Sequence, residues 1–204
     1  MAKIGYARLA GAALALLLLN PLHAQEASPK WYAELGYTHF HFSSAADHEP
    51  VPLMSFSSEA AIGTVGYQLM PHLAVEGVLG TGIADVGVNV KQAGVSAPLV
   101  GVRGIVRKVG GLYIKPSLPV TDRIRLFARL GWVHVEHRFS MAGYRSYDVN
   151  NDSVTFGVGV QADLSPRSYV QVNWTNYFRQ RYDADLALLR PKTYGLTVAY
   201  GMRF

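Results

Sequence analysis

The C-terminal segment from Lys192 to Phe204 constrains the fold more than any other part of the chain, because its side chains alternate in character. Large apolar residues occupy every second position: Tyr194, Leu196, Val198, Tyr200, Met202 and Phe204. The residues between them are small or polar. Successive side chains of a β-strand point to opposite faces, so this strand has one wholly apolar face. The pattern predicts a strand whose apolar face meets lipid; an edge strand of a soluble sheet is the alternative.

Residues 1–24 predict a secretory signal peptide. Lys3 and Arg8 flank the start of an apolar run that ends near Leu19, and a short polar segment ends at Ala24. The run is shorter than the roughly twenty residues that a transmembrane helix needs. We therefore expect export through the inner membrane, with residues 25–204 forming one domain. Only helices and closed barrels satisfy their backbone hydrogen bonds in lipid. An exported chain with lipid-facing strands is therefore predicted to form a β-barrel in a bacterial outer membrane.

Composition argues against disulfides, thiolate metal sites and nucleic-acid binding. The chain has no cysteine, which excludes disulfides and thiolate metal sites. Its net charge is +5; without Lys3 and Arg8 of the predicted signal peptide, 17 basic residues face 14 acidic ones, or +3. That excess is too small to indicate nucleic-acid binding.

Alternating segments and turn signals predict eight strands: 30–42, 56–70, 73–85, 98–118, 123–137, 153–164, 169–179 and 192–204. Short turns at 71–72, 119–122 and 165–167 alternate with longer loops, among them 43–54, 140–152 and 183–191. A barrel with both chain ends on one side needs an even number of strands. The two strand-like runs around Gly110 and Gly111 are therefore interpreted as one strand with a glycine kink, topped by an apolar hairpin at residues 86–102.

Four pieces of the chain, WYAELGY, GYQLMPHLAVEG, LFARLGW and the final GMRF, are similar to the OmpA-like eight-stranded outer-membrane β-barrel family of Gram-negative bacteria. The resemblance covers nearly all of residues 25–204 and implies an all-β, antiparallel, up-and-down transmembrane barrel. The chain stops at Phe204, so it resembles the transmembrane domain alone, without the family's peptidoglycan-binding domain. The resemblance also implies that the barrel assembly machinery recognises the C-terminal strand through Tyr200, Met202 and Phe204.

The alternation places charged side chains inside the barrel. The predicted interior network consists of Glu34, Glu76, Lys115, Arg125 and Arg129, with Arg103, Arg107, Asp163 and Arg203 in compatible phase. Side chains just fill the interior of an eight-stranded barrel, and buried charges must pair. We expect the carboxylates to pair with the basic groups and plug the lumen; a gated polar path for protons or small solutes is the alternative. The plug predicts no conductance in the unmodified protein and conductance after Glu76→Ala.

Two other sets of residues could carry chemistry. His39 and His41 share a strand face and could hold a metal weakly, but contact with lipid headgroups is the preferred interpretation. Lipid-A-modifying enzymes use small barrels with a serine, a histidine and an acid near the outer leaflet. His137, Ser140 and Asp152 offer those residue types, but no motif fixes a triad. We predict no catalytic residue, metal or cofactor.

Basic residues near the predicted outer rim suggest a partner. Arg138, Arg179 and Arg181 could neutralise phosphates of lipopolysaccharide through charge-assisted hydrogen bonds. The apolar hairpin at residues 86–102 could hold an extracellular partner. The sequence therefore predicts an envelope structural or surface-interaction protein whose extracellular loops carry the specific role. A narrow channel is the first alternative, and a lipid-A-modifying enzyme is the second.

Overall fold

The computed structural model describes residues 30–46, 53–84, 86–92, 95–141, 143, 145–179 and 189–204. The predicted signal peptide, residues 1–24, lies outside these ranges. Within them, no helix is long and apolar enough to cross a bilayer.

The described ranges consist of β-strands joined by short turns and bends. The strands are β1 (Trp31–Ala46), β2 (Leu53–Met70), β3 (Leu73–Ala84), β4 (Val86–Gln92), β5 (Val95–Pro119), β6 (Ile124–Met141), β7 (Tyr147–Asp163), β8 (Ser168–Arg179) and β9 (Leu189–Arg203). Eight strands close a barrel in the ring order β1-β2-β3-β5-β6-β7-β8-β9, and all neighbours are antiparallel. β4 follows β3 after one residue and pairs with the same two neighbours, β2 and β5, so it prolongs β3 rather than adding a ninth stave. The predicted eight-stranded antiparallel barrel is confirmed.

The two ends of the barrel differ. Short connections lie at one end, which we call the turn end: Pro71–His72, residues 120–123 and residues 164–167. Both ends of the described chain meet there as well, because the Phe204 amide donates to the Trp31 carbonyl over 2.9 Å. The remaining connections lie at the opposite end, which we call the loop end. The strands therefore run up and down between the turn end and the loop end.

Several strands reach further toward the loop end than the sequence predicts. The predicted loop 140–152 is mostly strand, because β6 runs to Met141 and β7 begins at Tyr147. Beyond the apolar belt the outward side chains of both strands are polar, among them Glu136, Arg138 and Asp148. The apolar-outward alternation that marks a strand therefore ends there, although the pairing of β6 with β7 continues from Arg138↔Asp148 to Phe139↔Tyr147. The hydrophobic pattern thus marks the apolar section rather than the strand ends.

Outward-facing side chains form an apolar belt around the barrel. On β6 the belt runs from Ile124 to Trp132, and on β9 from Tyr194 to Met202. Aromatic residues mark its borders: Trp31, Tyr67 and Tyr200 toward the turn end, and Tyr37, Trp132, Trp174 and Tyr194 toward the loop end. Such a band with aromatic girdles is the surface that a transmembrane barrel presents to lipid.

A β-bulge in β5 changes which residues face the lumen. The register between β5 and β6 shifts between Val106 and Lys108, whereas Gly110 and Gly111 stay paired with His134 and Val133. A bulge adds one residue to a strand and reverses the alternation beyond it. The predicted irregularity therefore lies at Arg107 and not at the glycines. The predicted inward phase of Arg107 and Arg103 is wrong for the same reason, since the phase was counted through the bulge.

Candidate functional site

Four charged side chains meet in the centre of the lumen, and we call them the charge cluster: Glu34, Glu76, Lys115 and Arg129. Arg129 donates from Nε to Glu76 Oε2 over 2.6 Å and from Nη2 to Glu34 Oε2 over 2.9 Å. Lys115 Nζ lies 3.2 Å from Glu34 Oε1 and 3.0 Å from Glu76 Oε1. Each cation thus contacts both carboxylates, and the buried cluster is electrically neutral.

Neutral side chains complete the hydrogen bonding of the carboxylates. The Tyr32 hydroxyl donates to Glu76 over 2.7 Å, while the Tyr169 hydroxyl and the Gln171 amide each donate to Glu34 over 2.7 Å. These residues come from β1, β3 and β8, so the bonds cross the lumen. Buried charges are tolerated only when such partners satisfy them.

The structure places the fifth predicted network residue, Arg125, apart from the charge cluster. Arg125 lies nearer the turn end, 3.6 Å from Asp163, which also accepts a hydrogen bond from Arg203. Its side chain is 39% exposed, unlike those of the charge cluster. Arg125 precedes Arg129 by four residues on one strand, and this displacement along the barrel separates the two guanidinium groups.

Two tyrosines reach the charge cluster because glycines face them on neighbouring strands. An added Cβ at Gly66 would lie 2.1 Å from Tyr32 Cζ, and one at Gly201 would lie 2.3 Å from Tyr169 Cζ. No residue larger than glycine leaves space for either ring. The two rings approach each other edge-on at 6.4 Å, so the glycines position both hydroxyl donors.

An apolar plug fills the lumen between the charge cluster and the loop end. It consists of Phe40, Ala60, Ile62, Val78, Val106, Val109, Tyr113, Val133, Val135 and Tyr177. All of these residues are buried. Alternation predicts most of these residues to face inward, but it does not show that they pack together across the lumen. Val106 alone depends on the bulge at Arg107, because a count from Lys115 without the bulge would turn it outward.

Aromatic side chains close the loop end of the lumen above the apolar plug. Phe56 and Val88 are buried together, with Phe42 and Phe139 packed against them. His137 is also buried here, with its ring centroid 5.9 Å from that of Phe42. Val88 belongs to the predicted apolar hairpin, and it packs inward.

The described side chains leave little space in the lumen. A cavity of about 20 Å³ lies beside Glu34, Arg129 and Tyr177. Another of about 40 Å³ lies toward the turn end, beside Lys115 and Arg125. A buried water needs at least about 10–15 Å³, so such cavities hold isolated waters rather than a hydrated solute.

Charged side chains gather on the outward face beyond the apolar belt, and we call them the rim cluster: Arg107, Lys108, Glu136, Arg138 and Asp148. Arg107 Nη1 lies 2.8 Å from Glu136 Oε1 and 3.2 Å from Asp148 Oδ2. Arg138 donates to both Asp148 oxygens, over 2.7 and 2.9 Å. Lys108 lies 3.6 Å from Glu136 and is 64% exposed. Three cations thus share two carboxylates.

The residues considered for catalysis are not brought together. His137 is buried in the lumen, whereas Asp152 faces outward and lies 2.9 Å from His134. His41 Nδ1 lies 3.3 Å from the Ser57 hydroxyl. Among the described residues, no three His, Cys, Asp or Glu side chains group closely enough to hold a metal.

The other predicted contact residues are only partly described. Arg181 lies outside the described residues, and Arg179 is described by its backbone, paired with Lys192. In the hairpin at residues 86–102, Gln92 pairs with Val95, but Val88 is the one apolar side chain described before Arg103. Tyr200, Met202 and Phe204 face outward and are exposed, on the strand that closes the barrel against β1.

Comparison with known proteins gives a family match and several similar folds. A family model described as outer membrane protein beta-barrel domain matches residues 12–204. No curated protein matches the sequence significantly. OprG, an outer membrane protein from Pseudomonas aeruginosa, is 12% identical with a TM-score of 0.58, over 87% of this chain and 96% of that one.

Two further structures share the fold. Neisserial surface protein A is 11% identical, with a TM-score of 0.52 over 85% of this chain and 97% of that one. The outer membrane protease OmpT from Escherichia coli is 9% identical, with a TM-score of 0.55 over 89% of this chain and 99% of that one. A surface protein and a protease thus have similar barrels, so the fold does not determine the role.

Proposed function

The chain belongs to the outer membrane protein β-barrel family and lies in the bacterial outer membrane; from this premise we propose that it is a closed barrel with a structural or surface-interaction role. Its lumen conducts no solute, and its loop end faces outside the cell. The rim cluster contacts lipopolysaccharide, and the loops at the loop end bind the specific extracellular partner. The observation that carries the proposal is the filled lumen.

Two barriers of different chemistry lie in series along the barrel axis. In the charge cluster, every carboxylate oxygen accepts a hydrogen bond from a donor on another strand. The apolar plug follows toward the loop end, and an ion entering it would have to shed its water without compensating ligands. The arrangement favours a closed barrel over the alternative of a narrow channel.

We predict that the purified, refolded protein shows no single-channel conductance in a planar bilayer, and that Glu76→Ala does not open it. The second part differs from the expectation that sequence alone gives. Removing the Glu76 carboxylate disrupts the charge cluster, but Phe40, Val109 and Val135 still fill the section beyond it. The measurement is a current recording of both proteins at matched insertion.

A control for this recording combines Glu76→Ala with Phe40→Ala and Val135→Ala, which shortens both barriers. Conductance in this variant alone supports two barriers in series. Steady, ion-selective steps in the unmodified protein contradict a closed lumen and favour the channel.

The contact with lipopolysaccharide is proposed from the rim cluster, which lies just beyond the aromatic border of the apolar belt. Arg138 contributes to this cluster, but Asp148 occupies two of its donors. We therefore predict that Asp148→Asn strengthens binding of lipopolysaccharide, because it frees the guanidinium group to pair with a phosphate. Titration of the detergent-solubilised protein with lipopolysaccharide measures this change.

The matched control is Asp152→Asn, which removes an exposed carboxylate that pairs with His134 and not with Arg138. Its affinity should stay near that of the unmodified protein. Equal affinities for Asp148→Asn and the unmodified protein would show that Arg138 does not bind the phosphate. Arg179 and Arg181 remain proposed contacts of the same kind.

The hairpin at residues 86–102 and the C-terminal strand carry the remaining proposals. An extracellular partner would bind the hairpin away from Val88, which packs against Phe56. The assembly machinery would bind the outward face of β9, where Tyr200, Met202 and Phe204 are exposed before the barrel closes against β1. Pairing of β9 with β1 is the last step that such assembly requires.

A further inference from the structure

An apolar groove of about 700 Å³ interrupts the outward face of the apolar belt, from β1 across β2, β3 and β5 to β6. Gly63, Gly77 and Gly110 form its floor. Val65, Leu112 and Trp132 stand around it. Its volume is far larger than that of either cavity in the lumen, and it opens toward the surrounding membrane.

The glycines of the floor are not required by crowding. A Cβ at Gly63 would come no closer than 3.8 Å to another atom, one at Gly77 no closer than 4.0 Å, and one at Gly110 no closer than 3.8 Å. These are ordinary van der Waals distances, in contrast to the 2.1 Å at Gly66. Glycine weakens a strand interior by roughly 0.5–1 kcal/mol relative to alanine. An alanine side chain would fit at all three positions without a clash. The structural consequence of having glycine at each of them is that the groove stays open.

The position of the groove restricts what can fill it. It lies below the aromatic border at Trp132, at the depth of the hydrocarbon. An empty groove would lose van der Waals contacts along its whole lining, and an apolar recess does not hold ordered water. An acyl chain from the surrounding membrane satisfies both conditions without any rearrangement of the barrel.

Lys108 lies directly above the groove. It faces outward two residues before Gly110, about 7 Å further toward the loop end, and it pairs in register with Thr81 and Glu136. Glu136 is already bound by Arg107 at 2.8 Å, whereas Lys108 is 3.6 Å away and mostly exposed. An exposed ammonium group beside an apolar groove matches a lipid that carries a phosphate next to its chains.

We propose that this groove holds an acyl chain of lipopolysaccharide while Lys108 binds the phosphate of the same molecule. The inference rests on the proposed contact of the rim cluster with lipopolysaccharide, and it adds a defined binding site for the acyl chain on β3 and β5. Trp132 and Leu112 flank the chain, and Leu79 contacts it from the middle of the groove.

The test is native mass spectrometry of the full-length protein, reconstituted in phosphatidylethanolamine vesicles that contain lipopolysaccharide and then extracted in mild detergent. We expect the unmodified protein to retain one lipopolysaccharide molecule. Gly77→Leu combined with Gly110→Leu fills the groove and should abolish retention. Lys108→Gln removes a charge-assisted hydrogen bond and should lower retention about tenfold. Ala128→Leu, an outward-facing enlargement on β6 away from the groove, is the matched control and should retain the lipid normally.

Other outcomes overturn the proposal. Lipopolysaccharide retained equally by the groove-filling variant would place its chain elsewhere, and preferential retention of phosphatidylethanolamine would exclude a role for the lipopolysaccharide phosphate. A two-barrel mass that disappears on filling the groove would identify a second copy as the occupant. Retention that depends on Arg138 but not on the groove would overturn the proposed binding of an acyl chain in the groove and leave the proposed function intact. Conductance of the unmodified protein would overturn only the proposal that the lumen is closed.

Discussion

Replacing Glu76 by alanine should lower the free energy of unfolding by about 3–5 kcal/mol, the cost of leaving a buried charge without its partner. Arg129 donates two hydrogen bonds to Glu76, and Lys115 lies 3.0 Å from it. Without this carboxylate, two cations share Glu34 alone in a lumen that water hardly enters. The Tyr32 hydroxyl also loses its acceptor.

The measurement is denaturant unfolding of the refolded protein in detergent micelles, with the midpoint compared at a constant slope. Asp152→Ala is the control: it removes an exposed carboxylate from the same barrel, and an exposed ion pair contributes about 0–1 kcal/mol. Similar small losses for the two variants would show that the charge cluster is not stabilising.

A second measurement separates the charge imbalance from the lost contacts. Lys115→Ala in the Glu76→Ala background leaves one carboxylate with one guanidinium group and restores neutrality. The double variant should be less destabilised than the sum of the two single variants. Strictly additive losses would contradict this prediction, because they would mean that each side chain stabilises the barrel independently of the contacts it shares in the charge cluster.

The sequence predicts the barrel well because lipid imposes a strict alternation. Leu126, Leu130 and Trp132 lie outward, and Phe127 and Arg129 inward, as a period of two requires. Four of the five predicted interior charges meet because they occupy inward positions at one level of the barrel. The fifth, Arg125, faces the lumen at a different level, and its level follows from the register between strands, which alternation does not encode.

Other features depend on contacts that no local pattern contains. The bulge at Arg107 leaves no mark in composition, yet it reverses the facing of every residue beyond it on β5. That reversal brings Val106 inward beside Val135, where it completes the apolar plug. Tyr32 and Tyr169 resemble ordinary girdle residues until their glycine neighbours are known. The position of Gly66 opposite Tyr32 follows from the register between β1 and β2, which alternation within each strand does not encode.

The pairing of Tyr32 with Gly66 leads to the second large effect. Gly66→Ala should lower the free energy of unfolding by about 3 kcal/mol, since overpacking costs about 1–3 kcal/mol and a hydrogen bond to a charged group contributes about 1.5–3 kcal/mol. The added methyl group would lie 2.1 Å from Tyr32 Cζ. The ring can move aside only by withdrawing its hydroxyl from Glu76.

Gly63 provides a matched control three residues away on the same strand. Its Cβ would face outward, 3.8 Å from the nearest atom, so Gly63→Ala should be neutral or stabilise the barrel by about 0.4–1 kcal/mol through the unfolded state. Glycine-to-alanine substitution on β2 should thus lower the free energy of unfolding on the inward face and leave it unchanged or raise it on the outward face. In a Tyr32→Ala background the ring is gone, and Gly66→Ala should then cost little. If Gly66→Ala remained as costly in that background, the clash with Tyr32 would not be its cause, and the glycine would serve the backbone of β2 instead.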